Sequence, residues 1–203
     1  RYIVRRLAAL GWKIKIVTRN SDKSLFLRTY GEIGQVEIIK ANLFRSETEM
    51  EKAIIGSSIV INCIGILTEF GDQKFDEIHF RLVKKMAVLS TNNGIKKFIH
   101  ISSIGADSNS NSSYSRSKGF GENALIKEFK NHVILRPSVV FGSEDQFFNR
   151  FAKIVNISPF IPLVGSSTFF QPVFVDDIAL AVEKSAEDKS IVGVYEIGGP
   201  EVL

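Results

Sequence analysis

The sequence predicts an α/β fold built on a doubly wound parallel sheet with helices on both faces. Two observations support this. Amphipathic helical stretches alternate with short apolar, β-branched runs along the chain, which is the pattern of successive βαβ units. The apolar run 98–101 ends in Ser102 and Ser103, and the helical segment that follows carries Tyr114 and Lys118. With 203 residues, of which 44% are hydrophobic, the chain is long enough for one domain of ordinary size.

Composition argues against several classes of protein and site. No apolar run reaches the roughly 18 residues of a membrane-spanning helix, so none is expected in this chain. Lys and Arg are spread along the chain rather than clustered, which argues against a nucleic-acid partner. The single cysteine, Cys63, excludes an internal disulfide and fits a reducing compartment. His100 and His132 lie in strand-like runs without further ligands at metal-binding spacing, so we predict no metal site.

The first elements match the second half of a dinucleotide-binding βαβ unit. Residues 1–10 carry a helical apolar stripe that Gly11 is predicted to end, and residues 13–17 alternate into a strand. We therefore expect the fold to be N-terminally truncated here, with the first strand and its glycine-rich, phosphate-binding loop absent from this sequence. Arg19 follows the strand, where an acidic residue favours NAD and an Arg pairs with the 2′-phosphate of NADP. The alternative is an exposed Arg in a turn.

Tyr114 and Lys118 are the candidate catalytic pair. Their spacing is about one helical turn, so both side chains fall on one face of the predicted helix. A Lys ammonium near a Tyr hydroxyl favours the phenolate, which makes the Tyr a proton donor and acceptor for a carbonyl or alcohol. A hydroxyl from Ser103 or Ser102 can bind the same substrate oxygen. The alternative interpretation is an ordinary surface helix.

This Ser-Tyr-Lys arrangement resembles the short-chain dehydrogenase/reductase superfamily, and the run R-P-x-x-V-F-G at 136–142 is typical of its extended and atypical members. The chain is most similar to one branch, the nucleotide-binding accessory subunit of respiratory complex I and its bacterial relatives. The blocks that carry this likeness are 100–107, 114–118, 136–142, 144–151 and 198–203.

The resemblance implies a Rossmann-like sheet that binds NADP(H) rather than NAD(H). It implies that Ser103, Tyr114 and Lys118 form the catalytic set. Asn42 stands where relatives have Asp near the adenine, and we interpret Cys63 as a small core residue rather than a nucleophile. His79 either takes the place of an Asn that organises active-site water or is a structural histidine. The expected cofactor contacts are Arg19, Asn42, Leu43, Cys63, Ile64, Gly65, Ser102, Tyr114, Lys118, Pro137, Ser138, Val139 and Val140.

Two regions are predicted, a nucleotide-binding domain fragment at 1–142 and part of a small C-terminal substrate or partner region at 143–203. The Phe-rich stretch 144–151 is expected to open a helix that is either core or a docking surface. Asp176 or Asp177 is expected to N-cap the next helix. The polar stretch 104–113 is interpreted as a mobile loop over the site, and the glycines after Lys118 as positions of close approach to the sheet or cofactor.

The resemblance implies an accessory or assembly subunit of respiratory NADH:ubiquinone oxidoreductase, in which the cofactor staples the fold. The alternatives are an active NADP-dependent oxidoreductase and a sugar-nucleotide epimerase or dehydratase that uses the Ser-Tyr-Lys set. The expected partners are a dinucleotide and complex I subunits at a membrane surface. The expected location is the cytoplasm, or the cytoplasmic or matrix face of an energy-transducing membrane.

Overall fold

Helices and strands alternate as the sequence predicts. The computed structural model describes residues 1–145 and 169–203. The elements are, in chain order, α1 (Tyr2–Ala9), β1 (Ile14–Thr18), a 3-10 helix (Asp22–Tyr30), β2 (Val36–Lys40), α2 (Glu47–Ile54), β3 (Ile59–Asn62), a π-helix (Asp76–Arg81), α3 (Leu82–Asn92), β4 (Lys97–Ile101), α4 (Ser113–Glu128), β5 (His132–Pro137), β6 (Val140–Phe141), β7 (Val173–Phe174), α5 (Val175–Glu187) and β8 (Gly193–Ile197).

The pairings between the strands of the described residues are all parallel. The largest sheet has the order β3-β4-β5-β8, β1 pairs with β2, and β6 pairs with β7. The jump from β5 to β8 brings the end of the chain back to the main sheet. These pairings confirm the predicted doubly wound parallel sheet, whereas the domain boundary after residue 142 stays a prediction.

Helices cover both faces of the main sheet. Phe98 and Ile99 are neighbours on β4 and are both fully buried, but they belong to different cores. Successive side chains of a strand point to opposite faces, so Phe98 packs toward α3 and α4 while Ile99 packs toward α1 and α5. The face of Phe98 is the one that carries the candidate site.

An apolar groove of about 670 Å³ separates β1 from β3. Its walls include Ile14 and Ile16 of β1, Ile59 and Ile61 of β3, and Leu7 of α1. Strand β1 pairs with β2 and β3 pairs with β4, so one edge of each is left unpaired within the described residues.

Cross-helix ion pairs join α1 to α5 and explain one wrong prediction. Helix α5 begins after Phe174 without a side-chain cap. Asp176 instead lies in the first turn, where its carboxylate accepts hydrogen bonds from Arg5 and Arg6 at 2.7–3.1 Å. Asp176 is therefore not an N-cap, because its carboxylate bonds across the helix pair. By contrast, Gly11 ends α1 as predicted, with a φ of 82° and an N–H donated to Ala8.

Buried Lys97 ties β4 to the end of α5. Its ammonium donates to the carbonyls of Ser185 at 2.8 Å, Asp188 at 2.6 Å and Ile191 at 3.1 Å. These bonds satisfy the carbonyl of Ser185 in the last turn of α5 and those of Asp188 and Ile191 in the segment that leads from α5 to β8.

Among residues 1–145 and 169–203, no helix is long and apolar enough to cross a membrane. The Phe-rich stretch predicted at 144–151 lies, from residue 146 onward, outside the described residues.

Candidate active site

The candidate site lies where β3, β4 and β5 end. Parallel strands place their carboxyl ends at one edge of the sheet, and ligands of open α/β folds bind in the crevice there. The segments that leave this edge are Cys63–Gly65 after β3, Ser102–Ser103 after β4 and Ser138 after β5. All three contain predicted site residues.

Helix α4 brings Tyr114 and Lys118 to this edge. The helix begins at Ser113, and the hydroxyl of its N-cap Ser112 accepts the N–H of Ser115 at 3.4 Å. Tyr114 is half-buried, Lys118 is only 4% exposed, and the Lys118 ammonium lies 6.0 Å from the centre of the Tyr114 ring. The two side chains therefore share one face of α4 and lie next to each other.

The Lys118 ammonium is held in a confined, polar position. Burial lowers its pKa from 10.5 to about 8, and the nearby carboxylate of Glu122 opposes that shift. A Cβ added at Gly65 would lie 3.3 Å from the Lys118 Nζ. A side chain at this position would crowd the ammonium, so the glycine lets Lys118 reach the loop after β3.

Three buried polar atoms near this edge find no hydrogen-bond partner among the described residues. They are the hydroxyls of Ser102 and Ser103 and the Nε2 of His100. An unpaired buried polar group costs free energy, so these atoms are suited to bond a ligand. The Lys118 ammonium, which lies close to Gly65, adds a positive charge at the same edge of the sheet. The residues present therefore fit the nicotinamide and ribose half of a dinucleotide.

His79 is bonded through both ring nitrogens. It is 1% exposed and lies on the π-helix. Its Nε2 accepts the backbone N–H of Ile66 at 3.0 Å, and its Nδ1 lies 3.0 Å from the Ser117 hydroxyl. That hydroxyl donates to the carbonyl of Tyr114 at 2.7 Å. Both ring nitrogens therefore have partners within the protein. This is what we expect of a structural histidine, the alternative that the sequence left open.

A second buried imidazole, His100, lies under the same helices. The Asn62 side chain accepts the N–H of Ile64 at 3.0 Å and points its amide nitrogen at the His100 Nδ1, 3.1 Å away. Burial is the main cause that lowers the pKa of His100 to about 3 and that of His79 to about 4, and the Lys118 charge adds to both effects. Both rings are therefore neutral at neutral pH.

The predicted adenine-side residues are spread along the β1, β2 and β3 ends. Arg19 is exposed just after β1, and its guanidinium donates to the Gln73 side chain at 3.2 Å. The backbone N–H of Asn42 donates to Glu49 at 2.9 Å, while Leu43 packs against the core. Ser46 N-caps α2, because its hydroxyl accepts the N–H of Glu49 at 3.2 Å, and the Glu49 carboxylate is the group that accepts the Asn42 N–H.

Cys63 and its neighbours lie at the mouth of the site. Cys63 is exposed, so its interpretation as a core residue is wrong. The residue follows the last position of β3, where the chain leaves the sheet for the crevice and the core ends. Ile64, by contrast, packs against the buried cluster.

The segment after β5 uses much of its backbone within the protein. Pro137 accepts the N–H of Ile104 at 3.0 Å, Ser138 donates to Ile197 at 2.8 Å, and Val139 accepts from Val173 at 2.9 Å. Val140 continues into β6. These backbone groups bond to β7, β8 and the loop after β4. A cofactor at this segment would therefore contact its side chains and the backbone groups not used in these bonds.

The two glycines of α4 approach other parts of the chain than expected. A Cβ at Gly119 would lie 2.2 Å from the backbone of Ser108, and one at Gly121 would lie 1.9 Å from the carbonyl of His79. Their neighbours are therefore the loop 104–113 and the π-helix, rather than the sheet or the cofactor. The same loop is bonded to α4, for example from the Asp107 N–H to the Ser115 carbonyl at 3.2 Å, and its mobility stays a prediction.

Sequence reasoning missed Ser117, Asn62 and Glu122. Glu122 is buried and bonded to Arg136, whose guanidinium lies 2.6 Å from it. Each of the three is a polar residue at a buried position. A polar residue within or directly after a predicted buried run, such as Asn62 after its β-branched run, is the sequence signal that could have identified them. Among the described residues, no group of His, Cys, Asp and Glu could hold a metal ion.

The family model for NAD(P)H-binding proteins matches residues 1–146. The chain belongs to the NAD(P)H-binding family. The matched residues include Tyr114 and Lys118.

Curated relatives are similar over the whole chain. It is 35% identical to NADH dehydrogenase (ubiquinone) 1 alpha subcomplex subunit 9, mitochondrial, of Dictyostelium discoideum, covering 100% of this chain and 57% of that protein. The subunit 9 of Arabidopsis thaliana is 32% identical, with 100% and 52% covered. The chain thus spans about half the length of these relatives. The similarity confirms the resemblance to complex I accessory subunits.

Solved structures share the fold. A UDP-glucuronic acid 4-epimerase from Bacillus cereus in complex with UDP-glucuronic acid and NAD superposes with a TM-score of 0.77 at 17% identity, covering 100% of this chain and 75% of that one. A UDP-N-acetylglucosamine 4-epimerase from Methanobrevibacter ruminantium gives 0.77 at 20%, with 100% and 74% covered. At these identities the likeness concerns the Rossmann fold alone, which confirms the predicted fold class.

Proposed function

We propose that this chain binds NADP(H) and serves as an accessory or assembly subunit of respiratory NADH:ubiquinone oxidoreductase. The observation that carries the proposal is the similarity to subunit 9 along the full chain. We place the protein on the matrix or cytoplasmic face of the membrane that holds the complex, with the other complex I subunits as partners. A bound dinucleotide stabilises the folded state by mass action, so the cofactor acts as a staple.

Specific residues carry cofactor binding in this proposal. Lys118 binds the hydroxyls of the nicotinamide ribose, and Gly65 leaves room for that contact. Arg19 pairs with the 2′-phosphate, which requires its guanidinium to leave Gln73. The Arg supports NADP(H) over NAD(H), because an ammonium or guanidinium matches the additional phosphate and a carboxylate repels it.

An active NADP-dependent oxidoreductase is the second candidate, and the Tyr114–Lys118 pair supports it. When bound, the cofactor supplies or accepts a hydride. Tyr114 donates a proton to the substrate oxygen, Lys118 stabilises the phenolate that remains, and the Ser103 hydroxyl binds the same oxygen. The unpaired state of that hydroxyl among the described residues leaves it available. An epimerase or dehydratase uses the same set, and no contact among residues 1–145 and 169–203 favours a sugar nucleotide.

The two candidates are separated by cofactor turnover in the full-length protein. NADPH oxidation is measured against quinones and carbonyl compounds, with UDP-sugars tested for epimerisation, and Tyr114→Phe is the matched control. We expect tight NADPH binding, no turnover and co-purification with respiratory subunits. Turnover that Tyr114→Phe abolishes while NADPH binding persists would make the protein an enzyme instead.

A further inference from the structure

We propose that His79 and Ser117 form a link that positions Tyr114 and Lys118 against the loop after β3. The inference rests on the proposed function, because the loop and the Tyr-Lys pair are taken as the two walls of the nicotinamide end. His79 is a positioning residue in this scheme, since it acts through Tyr114 and Lys118.

The hydrogen bonds fix which tautomer of His79 the link uses. The Ile66 N–H is a donor, so the Nε2 that receives it at 3.0 Å must carry a lone pair. A neutral ring then carries its proton on Nδ1. Nδ1 donates a hydrogen bond to the Ser117 hydroxyl, and that hydroxyl donates its own hydrogen bond to the Tyr114 carbonyl. Each donor in the chain from Ile66 to Tyr114 thus has one acceptor.

The surroundings of His79 are shaped to hold this geometry. The Tyr114 ring meets the His79 ring edge-on and the Phe75 ring stacks on it, each with centroids 5.4 Å apart. The Phe75 and Tyr114 rings also contact each other edge-on, with centroids 5.6 Å apart. A Cβ at Gly65 would lie 3.7 Å from the His79 Nε2, and one at Gly121 would collide with the His79 carbonyl. Two glycines therefore allow the loop and α4 to close on the same histidine.

The backbone at His79 is also unusual. Residues Asp76–Arg81 form a π-helix, which continues into α3. Single π turns within helices are rare and occur often at functional sites. The wider turn changes the register of the helix, so residues before and after it face different directions. Here the π-helix contains His79, the residue that bonds both to the loop after β3 and to α4.

The link joins parts of the chain that are distant in sequence. His79 and Ser117 are 38 positions apart, and Ser117 precedes Lys118 directly. A shift of the first turn of α4 would therefore move Tyr114 and Lys118 together, relative to Gly65. The link thus controls the width of the gap that the nicotinamide ribose would enter.

The test uses four variants of the full-length protein and two ligands. Ser117→Ala and His79→Gln remove the donor–acceptor step between the ring and the helix, while His79→Asn keeps a donor at the place of Nδ1. Ser115→Ala, on the same turn of α4 but outside the link, is the matched control. Affinity is measured for NADP⁺ and for its adenine half, adenosine 2′,5′-bisphosphate, which does not reach the Tyr-Lys pair.

We expect Ser117→Ala and His79→Gln to weaken NADP⁺ about tenfold, which corresponds to the loss of one hydrogen bond, and to leave the adenine half within about twofold of the wild type. His79→Asn should lie closer to the wild type than His79→Gln. Equal weakening of both ligands, or unchanged NADP⁺ affinity in Ser117→Ala, would overturn the inference and leave the proposed function standing. A wild type that binds neither ligand refutes the proposed function and this inference with it.

A second measurement reads the His79 tautomer in the wild-type protein and uses a variant only to assign the signals. Long-range proton–nitrogen NMR of the histidine rings at pH 7 distinguishes the two neutral tautomers, and His79→Asn assigns the signals. We expect His79 as the Nδ1–H tautomer. An Nε2–H or doubly protonated ring would remove the link regardless of how any variant folds.

Discussion

Lowering the pH from 7 to 5 should destabilise this fold through two buried imidazoles. His79 and His100 are each 1% exposed, and burial lowers their pKa values from 6.5 to about 4 and about 3. At pH 5 both rings are protonated in the unfolded chain and neutral in the folded one. Because the folded pKa values are lowered, their stabilising effect is complete above pH 6.5 and is lost as the pH falls toward 4.

The size of the effect follows from the pKa gap. Each pH unit within that gap costs about 1.4 kcal/mol per ring. At pH 5 the loss is therefore about 2 kcal/mol for each ring and about 4 kcal/mol for the pair. A domain of this kind has a free energy of unfolding of about 5–15 kcal/mol, so the loss is large enough to measure by urea unfolding at pH 7 and pH 5.

Substitution distinguishes the loss of stability caused by these rings from the loss caused by carboxylates, which also bind protons in acid. His79→Gln should reduce the acid-induced loss by about 2 kcal/mol relative to the wild type. His132→Gln, which changes a histidine outside the buried pair, is the matched control. The reasoning fails if His79→Gln loses as much stability as the wild type, or if the control reduces the loss equally. A His79 ring that titrates in NMR between pH 7 and pH 5 would refute it without any variant.

Three further predictions concern stability and binding. Lys97→Met should lower the free energy of unfolding by about 3 kcal/mol, because it removes the donor to three carbonyls in the last turn of α5 and the segment after it. In the same denaturant titration, exposed Lys96→Met should change the free energy of unfolding by less than about 0.5 kcal/mol. Gly121→Ala should lower the free energy of unfolding by roughly 2 kcal/mol or more, since the added Cβ would fall 1.9 Å from a backbone carbonyl of the π-helix. Exposed Asn123→Ala on the same helix is the control, and equal melting temperatures of the two variants would contradict the close packing. Arg19→Asp in the full-length protein should weaken NADPH more than NADH in fluorescence titrations, and an equal effect on both would remove this Arg from the 2′-phosphate site.

Local patterns were enough to predict the elements of the fold. The apolar run 98–101, which becomes β4, and the helical stripe at 1–10, which becomes α1, were predicted correctly, because their periodicity reflects which face of each element is buried. Tyr114 and Lys118 were found in the same way, since a spacing of one turn places two side chains on one face of α4 wherever that helix packs.

Predictions that depended on a partner from elsewhere in the chain did less well. Asp176 has the right position for an N-cap, but the guanidinium groups of α1 bind its carboxylate. Cys63 follows a buried strand, and only the end of β3 at the crevice makes it exposed. In each case the local sequence allows two environments, and the neighbouring element selects one.

The sequence by itself determined the α/β class, the order of the elements and the residue types available for dinucleotide chemistry, because these follow from short-range periodicity and side-chain chemistry. Only the tertiary structure decided that Gly65, His79 and Ser117 meet beside Tyr114 and Lys118. Contacts of that kind join segments separated by tens of residues, and they depend on how helices and loops pack against the sheet rather than on any local preference.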